Sequence, residues 1–258
     1  MNILVTGGNG YIAKSLVRAF SDKHNITSVT RNDFDLSDPV LTSEWFRTRE
    51  FDVVVHTAAV GGSRLCPDGP DVLRQNLMMY YNLLSNKKSF GRLISFGSGA
   101  ELFHKETPYG MSKKIISESI KETDNFYNLR IFGVFDENEL DRRFIKSNIQ
   151  CYLNKKPMII HSEKIMDFFY MKDLISLVEY YIENNNPKKE INCSYETKNS
   201  LREISSMINQ LDSYEVPVIV ENEEINFYCG VSNLPIEVCG LKFGIEKTYK
   251  IMKDNYFK

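Results

Sequence analysis

Short apolar segments alternate with amphipathic segments along the first 135 residues of this 258-residue chain. The apolar segments are NILVT, ITSVT, DVVVHTAA, RLISFGS and YNLRIFGVF. A segment that is apolar throughout predicts a strand buried on both faces, and apolar residues at every third or fourth position predict a helix. Strands that alternate with helices form parallel sheets covered on both sides. We therefore predict an α/β fold with a doubly wound parallel sheet of the Rossmann type.

The alternation becomes less regular after Asp136, although helical patterns remain in RRFIKSNIQCYLN and MKDLISLVEYYIEN and a strand pattern in PMIIH. We predict a dinucleotide-binding Rossmann domain over residues 1–135. Residues 136–258 are expected to form mainly a smaller C-terminal α/β lobe that binds the substrate. Segments around 160–195 are expected to return to the Rossmann core. The polar stretch IENNNPKKE is typical of a linker.

The composition limits the partners that this chain can bind. Thirty-two basic and thirty-four acidic residues give a formal net charge of -2, which disfavours general binding to nucleic acid or to an anionic membrane surface. No apolar run approaches the roughly 18 residues of a membrane span, and the N-terminus has no signal-peptide pattern. The five cysteines form no C-x-x-C pair. We therefore predict reduced thiols, no metal site and a cytoplasmic protein.

A glycine-rich turn follows the first predicted strand. In VTGGNGYIAKSL, Gly8, Gly10 and Ala13 form the pattern G-x-G-x-x-A at the start of a helix. Glycines there allow a pyrophosphate to approach the backbone, and the N–H groups and dipole of the helix start stabilise its charge. Glycine also occurs in turns that only require a positive φ. Because the pattern lies in the first strand–helix unit, it predicts dinucleotide binding.

The end of the second predicted strand indicates which dinucleotide binds. An acidic residue there would accept hydrogen bonds from a ribose 2′-hydroxyl, whereas an arginine would pair with a 2′-phosphate. Thr30 and Arg31 follow the strand directly, and Asp33 comes later. Arg31 favours NADP, and NAD is the alternative if this arginine is only a solvated surface side chain.

The segment GSGAELFHKETPYGMSK contains a serine, a tyrosine and a lysine that could act together. Tyr109 and Lys113 lie four positions apart and would share one face of a helix. A phenol has an ordinary pKa of about 10, and a nearby ammonium lowers this pKa because it favours the phenolate. Ser98 ends the preceding strand, where open α/β sheets bind ligands. The pattern is typical of proton transfer at a carbonyl, but it also fits a helix with a solvated lysine.

Four motifs, TGGNGYIA, VVVHTAAVGG, GSGAE and YGMSK, occur in the order in which they are found in the extended short-chain dehydrogenases/reductases. The chain resembles this family, and within it the GDP-L-fucose synthases and related enzymes of nucleotide-linked sugars. The resemblance implies that Tyr109 gives a proton to a sugar keto oxygen while a nicotinamide supplies hydride. It also implies that Lys113 binds the nicotinamide ribose and that Ser98 orients the carbonyl. The cofactor-binding residues that it implies are Gly7, Gly10, Tyr11, Ile12, Arg31, Asp35, Leu36, Ala58, Ala59, Val60, Asn76, Tyr109 and Lys113.

Departures from the family pattern narrow the expected reaction. Gly99 and Ala100 stand where dehydratases carry an aspartate and a glutamate after the serine, and neither can transfer a proton. Glu101 comes one position late, and on an extended chain it would face the other way. Ala100 also replaces the cysteine with which fucose synthases epimerise their sugar, and the place of the partner histidine falls near Arg142 or Arg143. We therefore expect a 4-ketoreductase.

The family motifs identify the substrate-binding residues less clearly than the cofactor-binding residues. Met166 stands where the family has an arginine that pairs with the nucleotide diphosphate, so another cation is expected to replace it. The expected substrate-binding residues are Gly99, Arg142, Arg143 and Lys164.

Three functions fit these observations. The first is NADP-dependent reduction of a nucleotide-linked 4-keto-6-deoxy sugar to the 4-hydroxy sugar, for the synthesis of glycan precursors. The second is a nucleotide-sugar 4-epimerase that holds NAD tightly, and the third is a non-catalytic dinucleotide-binding sensor or scaffold. The family also implies a homodimer, with the long helix around Met78 and the helix that starts at Tyr109 at the interface.

Overall fold

The computed structural model describes residues 1–63 and 66–256. The strands are β1 (Asn2–Thr6), β2 (Asn25–Val29), β3 (Phe51–His56), β4 (Phe90–Ser98), β5 (Phe126–Ile131), β6 (Val134–Phe135), β7 (Met158–Ile160), β8 (Lys164–Met166), β9 (Phe169–Tyr170), β10 (Glu190–Cys193), β11 (Val218–Val220) and β12 (Asn226–Tyr228). The helices are α1 (Tyr11–Phe20), α2 (Pro39–Phe46), α3 (Val72–Ser85), α4 (Ala100–Phe103), α5 (Pro108–Lys121), α6 (Phe144–Leu153), α7 (Met171–Glu183), α8 (Leu201–Asn209) and α9 (Leu241–Tyr256).

Six strands form one parallel sheet in the order β10-β5-β4-β3-β1-β2, which confirms the predicted doubly wound Rossmann fold. In this sheet Val5 on β1 pairs with Ser28 on β2 and with Val55 on β3. The chain leaves β1 toward one edge to form β2 and then crosses to the other side of β1 to form β3. The direction of winding therefore reverses between β1 and β3, and in open α/β sheets ligands bind at the carboxyl ends of the strands at such a point.

Helices α3 and α5 cover one face of this sheet. Leu4, Val54 and Leu93 on three central strands are fully buried in one core cluster with Tyr80 of α3 and Ile120 of α5. A buried aliphatic side chain contributes about 1.5–3 kcal/mol relative to an exposed one. The apolar character of the strands on both faces thus accounts for the layered packing that positions α3 and α5.

The chain divides into two compact units, residues 1–130 with 177–191 and residues 131–176 with 192–258. The first segment of the first unit ends at Arg130, and the sequence suggested a boundary after residue 135. The segment that returns to the first unit is narrower than the expected 160–195. The stretch IENNNPKKE lies wholly in the first unit, where the Tyr181 hydroxyl donates a hydrogen bond of 2.8 Å to the Lys188 carbonyl. This polar stretch is therefore a connection within the first unit, from the end of α7 to the start of β10.

The second unit has its own α/β core. Its strands form three two-stranded parallel pairs, β6 with β9, β7 with β11 and β8 with β12. Ile149 of α6, Ile204 of α8 and Ile245 of α9 pack in one buried cluster. Across residues 1–63 and 66–256, no helix has both the length and the apolar character needed to cross a bilayer.

Candidate active site

The turn between β1 and α1 brings two stretches of backbone unusually close. Gly7 has a φ of 72°, and a Cβ on it would lie 2.8 Å from the backbone N and Cα of Ala58. The Gly10 N–H donates to the Gly7 carbonyl at 2.8 Å. Gly10 is also the N-cap of α1 and supplies no capping side chain. Glycine is therefore required at position 7, and the helix start presents backbone N–H groups of the kind that bind anions.

A cleft of about 350 Å³ lies at the carboxyl ends of β1, β2 and β3. Eight of the expected cofactor residues line it, namely Gly7, Gly10, Arg31, Asp35, Leu36, Ala58, Ala59 and Val60. The sequence interpretation missed seven further lining residues, Thr6, Asn9, Val29, Thr30, Phe34, Thr57 and Met79. Several of these follow or end the three strands, so their position in the alternating pattern was the only signal for them. Tyr11 and Ile12, also expected to bind the cofactor, form the first turn of α1.

The carboxylates near Arg31 are engaged in local turns. The Asp33 carboxylate accepts hydrogen bonds from the Thr30 N–H at 2.7 Å and the Thr30 hydroxyl at 2.9 Å, and these bonds lower the pKa of Asp33. The Asp35 carboxylate accepts from the N–H and hydroxyl of Ser37, which lower the pKa of Asp35, with a smaller contribution from the charge of Arg31. Arg31 itself is exposed on the cleft wall. A cation therefore faces the cleft just beyond the end of β2.

Tyr109 and Lys113 lie one turn apart on α5. This helix begins at Pro108, and the hydroxyl of its N-cap, Thr107, accepts from the Gly110 N–H at 3.1 Å. The Lys113 Nζ lies 5.6 Å from the centre of the Tyr109 ring and donates to the Phe96 carbonyl of β4 at 2.7 Å. The structure thus brings the phenyl ring and the ammonium together near the carboxyl end of the sheet.

The ammonium of Lys113 lies in a buried environment. Burial lowers the pKa of Lys113 to about 8, and the charge of Glu101 opposes this shift. His56, at the end of β3, is also buried and shares a hydrogen bond of 2.8 Å with the Thr6 hydroxyl. Burial, and then the nearby charge of Lys113, lowers the pKa of His56 to about 3. His56 is therefore neutral at physiological pH and packs as part of the strand end.

The residues that follow Ser98 are helical, not extended. The Ser98 Oγ accepts from the Ala100 N–H at 3.1 Å, and α4 begins at Ala100. Glu101 points into the interior, where its carboxylate pairs with Arg130. Burial raises the pKa of Glu101, while Arg130 opposes that shift. The expectation of an extended chain here was wrong, and the Arg130 ion pair is what holds the Glu101 carboxylate.

Asn76 was expected to bind the cofactor, and the structure places it behind the wall of the cleft. It is 2% exposed. Its Oδ1 accepts from the Val60 N–H at 2.8 Å, and its Nδ2 donates to the Val60 carbonyl at 2.9 Å and to the Ser112 hydroxyl at 3.1 Å. Asn76 therefore joins the loop after β3 to α5.

The expected substrate residues are divided between the two units. Gly99 follows Ser98 in the first unit, as the N-cap of α4. Arg142, Arg143 and Lys164 belong to the second unit, and both arginines are exposed. Met166 is 4% exposed and packs in the core of the second unit. Within the described part of the chain, no three His, Cys, Asp or Glu side chains are grouped as metal ligands.

Comparison with known proteins identifies the family. A model of the NAD dependent epimerase/dehydratase family matches residues 3–194. The chain belongs to this family, which confirms the resemblance seen in the sequence motifs.

Individual relatives are distant in sequence but cover most of the chain. CDP-abequose synthase of Yersinia pseudotuberculosis is 22% identical over 239 residues, which are 82% of this chain and 84% of that protein. The structure of the GDP-mannoheptose C4 reductase from Campylobacter jejuni with NADP bound is similar with a TM-score of 0.78, at 16% identity over 98% of each chain. The UDP-glucose 4-epimerase of Thermotoga maritima is similar with a TM-score of 0.83, at 15% identity over 99% of this chain and 100% of that one. A GDP-L-fucose synthetase has the same fold.

Proposed function

We propose that this protein is an NADP-dependent reductase that converts a nucleotide-linked 4-keto-6-deoxy sugar to the 4-hydroxy sugar, as a precursor of a glycan. The observation that carries the proposal is the buried Lys113 ammonium, 5.6 Å from the centre of the Tyr109 ring, at the carboxyl end of a Rossmann sheet. The family match supports an oxidoreductase of nucleotide sugars. A similar structure is that of a C4 reductase with NADP bound.

The residues around the cleft fit a nicotinamide dinucleotide. The approach of Gly7 to the Ala58 backbone suits a pyrophosphate beside the start of α1, where the N-cap Gly10 supplies no capping side chain. Arg31 on the cleft wall would pair with a 2′-phosphate, which favours NADP over NAD. When bound, the dinucleotide would supply the hydride.

Side chains of α5 and β4 would carry out the proton transfer. Tyr109 would give its phenolic proton to the keto oxygen, and the Lys113 ammonium would stabilise the phenolate that remains. The Ser98 Oγ accepts from the Ala100 N–H, so its own O–H can donate to the same keto oxygen and orient it. Lys113 would also bind the nicotinamide ribose.

The same part of the chain argues against dehydration. Gly99 and Ala100 have no proton to transfer, and the Glu101 carboxylate is paired with Arg130 in the interior. Gly99 would instead leave room for the sugar ring beside Ser98. Arg142, Arg143 and Lys164 are the cations that we propose for the nucleotide diphosphate.

A 4-epimerase is the second candidate. The similarity to a UDP-glucose 4-epimerase favours it, because such an enzyme would use the same three residues. An epimerase would keep its NAD tightly bound and would return the hydride to the same sugar. Conversion of the sugar by an epimerase would therefore cause no net oxidation of added cofactor.

We also propose a cytoplasmic homodimer formed through α3 and α5. Tyr81 of α3 is 40% exposed, and Met111 and Ile115 of α5 are 41% and 36% exposed, one helical turn apart. Apolar side chains grouped in this way favour burial against a second copy. Light scattering at micromolar concentration should give the mass of a dimer, and the mass of a monomer would contradict this part of the proposal.

The test uses the purified protein, NADPH, and 4-keto-6-deoxy sugars linked to several nucleotides. The reductase proposal predicts loss of nicotinamide absorbance in a one-to-one ratio with the sugar reduced. Redox-neutral conversion with NAD that co-purifies would favour the epimerase. Dinucleotide binding without conversion of any keto sugar would identify a sensor or scaffold and would refute both enzymatic proposals.

A further inference from the structure

A carboxylate outside the predicted site binds the backbone of Tyr109. The Asp68 Oδ2 accepts a hydrogen bond from the Tyr109 N–H at 3.0 Å, and the Asp68 Oδ1 accepts from the Gly62 N–H at 2.8 Å. Thr107 already caps this helix through the Gly110 N–H. One side chain therefore joins the residue proposed as proton donor to the loop that follows β3.

Two glycines make this arrangement sterically feasible. Gly62 has a φ of 70°, and a Cβ on it would lie 2.7 Å from the Cζ and 2.8 Å from the Cε1 of Tyr109. Gly61 has a φ of 80°, and a Cβ on it would lie 2.6 Å from the Asp68 Oδ1. Because both residues are in the left-handed region and lack a Cβ, the loop can lie against the Tyr109 ring and the Asp68 carboxylate at once.

The carbonyl of Tyr109 is held as well. The Ser112 hydroxyl donates to it at 2.7 Å, and the Asn76 Nδ2 donates to the Ser112 Oγ at 3.1 Å. Asn76 also binds both backbone groups of Val60, which lines the cleft. The N–H of Tyr109 is thus connected to the loop after β3 through Asp68. The carbonyl of Tyr109 is connected to the same loop through Ser112 and Asn76.

We propose that Asp68 is a positioning residue that sets the Tyr109 phenol relative to the cofactor cleft, with Gly62 as the surface on which the ring lies. The proposal rests on the proposed function, because that function makes Tyr109 the proton donor. Asp68 does not line the cleft, so its loss should affect proton transfer rather than cofactor binding. A small displacement of a reacting group is enough to lower the rate of the chemical step.

Two substitutions with matched controls test this role. Asp68→Asn keeps the side-chain shape but cannot accept from both N–H groups, and Asp71→Asn removes the same charge from a carboxylate that contacts Arg74 at 3.3 Å. Gly62→Ala introduces the Cβ that would meet the ring, and Gly69→Ala introduces one that meets nothing within 4 Å. We expect Asp68→Asn and Gly62→Ala to lower kcat about tenfold or more, with the NADPH Kd within about twofold of wild type. We expect the two controls to retain wild-type kcat.

A reduced melting temperature together with wild-type kcat in Asp68→Asn would show a purely structural role and would overturn the proposal. If Asp68→Asn does not fold, Gly62→Ala tests the position of the Tyr109 ring through the other contact of the proposal.

The proposed function and this inference can fail separately. NMR of protein labelled on its tyrosine rings reports the surroundings of Tyr109 without turnover, and the signal is assigned by its loss in Tyr109→Phe. If the wild-type protein reduces no keto sugar, the proposed function fails. The Tyr109 signal should still shift in Asp68→Asn and stay in place in Asp71→Asn. An unchanged signal in Asp68→Asn would overturn the positioning role.

Discussion

The Lys113 Nζ lies 5.6 Å from the centre of the Tyr109 ring and donates to the Phe96 carbonyl at 2.7 Å. Because Phe96 belongs to β4, this hydrogen bond fixes the ammonium near the carboxyl end of the sheet. Helical spacing on α5 then places the Tyr109 ring beside it. The proposed proton donor therefore lies beside a buried cation.

Tyr109→Phe should remove the proton donor while leaving the ring in place. We expect kcat for the keto sugar to fall about 10²- to 10⁴-fold, which is the usual contribution of a general acid. The NADPH Kd, measured by fluorescence, should change little. Tyr180→Phe on α7 is the matched control. Undiminished turnover in Tyr109→Phe would refute the proposed role of the phenol.

The charge of Lys113 should set the alkaline limit of activity. Burial lowers the pKa of Lys113 to about 8, so the ammonium is present below that pH and lost as pH rises through it. The value of kcat/KM for NADPH reports ionisations of the free enzyme, and we expect it to fall above pH about 8. A profile that stays flat to pH 10 would contradict a role for the charged lysine.

Glu101→Gln should move that alkaline limit. The Glu101 carboxylate raises the pKa of Lys113 against the effect of burial, so its neutralisation should shift the limit to lower pH. The substitution also removes one of the two carboxylate partners of Arg130, which keeps its contact with Glu190 at 3.0 Å, and the free energy of unfolding should fall by about 1–3 kcal/mol. Glu106→Gln, on the exposed loop before α5, is the control and should leave both quantities unchanged. A shift of the limit to higher pH in Glu101→Gln would contradict the electrostatic account.

Arg31→Ala should change which dinucleotide is preferred. Without the guanidinium, a 2′-phosphate loses its charged partner, so we expect the NADPH Kd to rise about tenfold or more and the NADH Kd to change little. Arg18→Ala, on the exposed face of α1, should alter neither. Equal weakening of both dinucleotides would indicate that Arg31 does not discriminate between them.

Gly7→Ala should prevent dinucleotide binding. The new Cβ would lie 2.8 Å from the Ala58 backbone at a φ of 72°, which is strained for alanine by about 1 kcal/mol or more. Isothermal titration calorimetry should detect no binding, and the melting temperature should fall. Gly69→Ala serves again as the control, and wild-type affinity in Gly7→Ala would show that this turn is not part of the binding site.

Asp173→Ala should destabilise the second unit. The Asp173 carboxylate is buried and accepts from the Cys239 N–H at 2.8 Å, the Gly240 N–H at 3.0 Å and the Tyr195 hydroxyl at 2.5 Å. Its loss leaves the buried Tyr195 hydroxyl without this acceptor, at a cost of about 1–3 kcal/mol in the free energy of unfolding. Urea denaturation measures this free energy of unfolding, and Asp254→Ala on α9 is the control. A change below about 1 kcal/mol would mean that water replaces the carboxylate.

The fold and the grouping of eight expected residues around one cleft could be predicted because their signals are local. Apolar strands, helical spacing and the glycines between β1 and α1 all lie within short segments of sequence. The contacts of Asp68 could not be predicted in this way, because Asp68 and Tyr109 are 41 positions apart and no periodic pattern links them. The ion pair between Glu101 and Arg130 is similarly long-range.

The chain after Ser98 was expected to be extended, and this local prediction was wrong. Helix α4 contains four residues, which is too short for a helical period to appear in the sequence. The stretch IENNNPKKE is polar because it lies at the surface of the first unit, and polarity alone does not distinguish a surface turn from a connection between domains.

Transfer of deuterium from NADPH that carries deuterium at both C4 positions to a 4-keto-6-deoxy nucleotide sugar tests the central claim most directly. We predict that mass spectrometry and NMR will find one deuterium on C4 of the product sugar for each NADPH oxidised, and that Tyr109→Phe will slow this incorporation about 10²- to 10⁴-fold. Conversion of the sugar without deuterium incorporation, or no conversion of any keto sugar while the dinucleotide binds, would contradict the reductase.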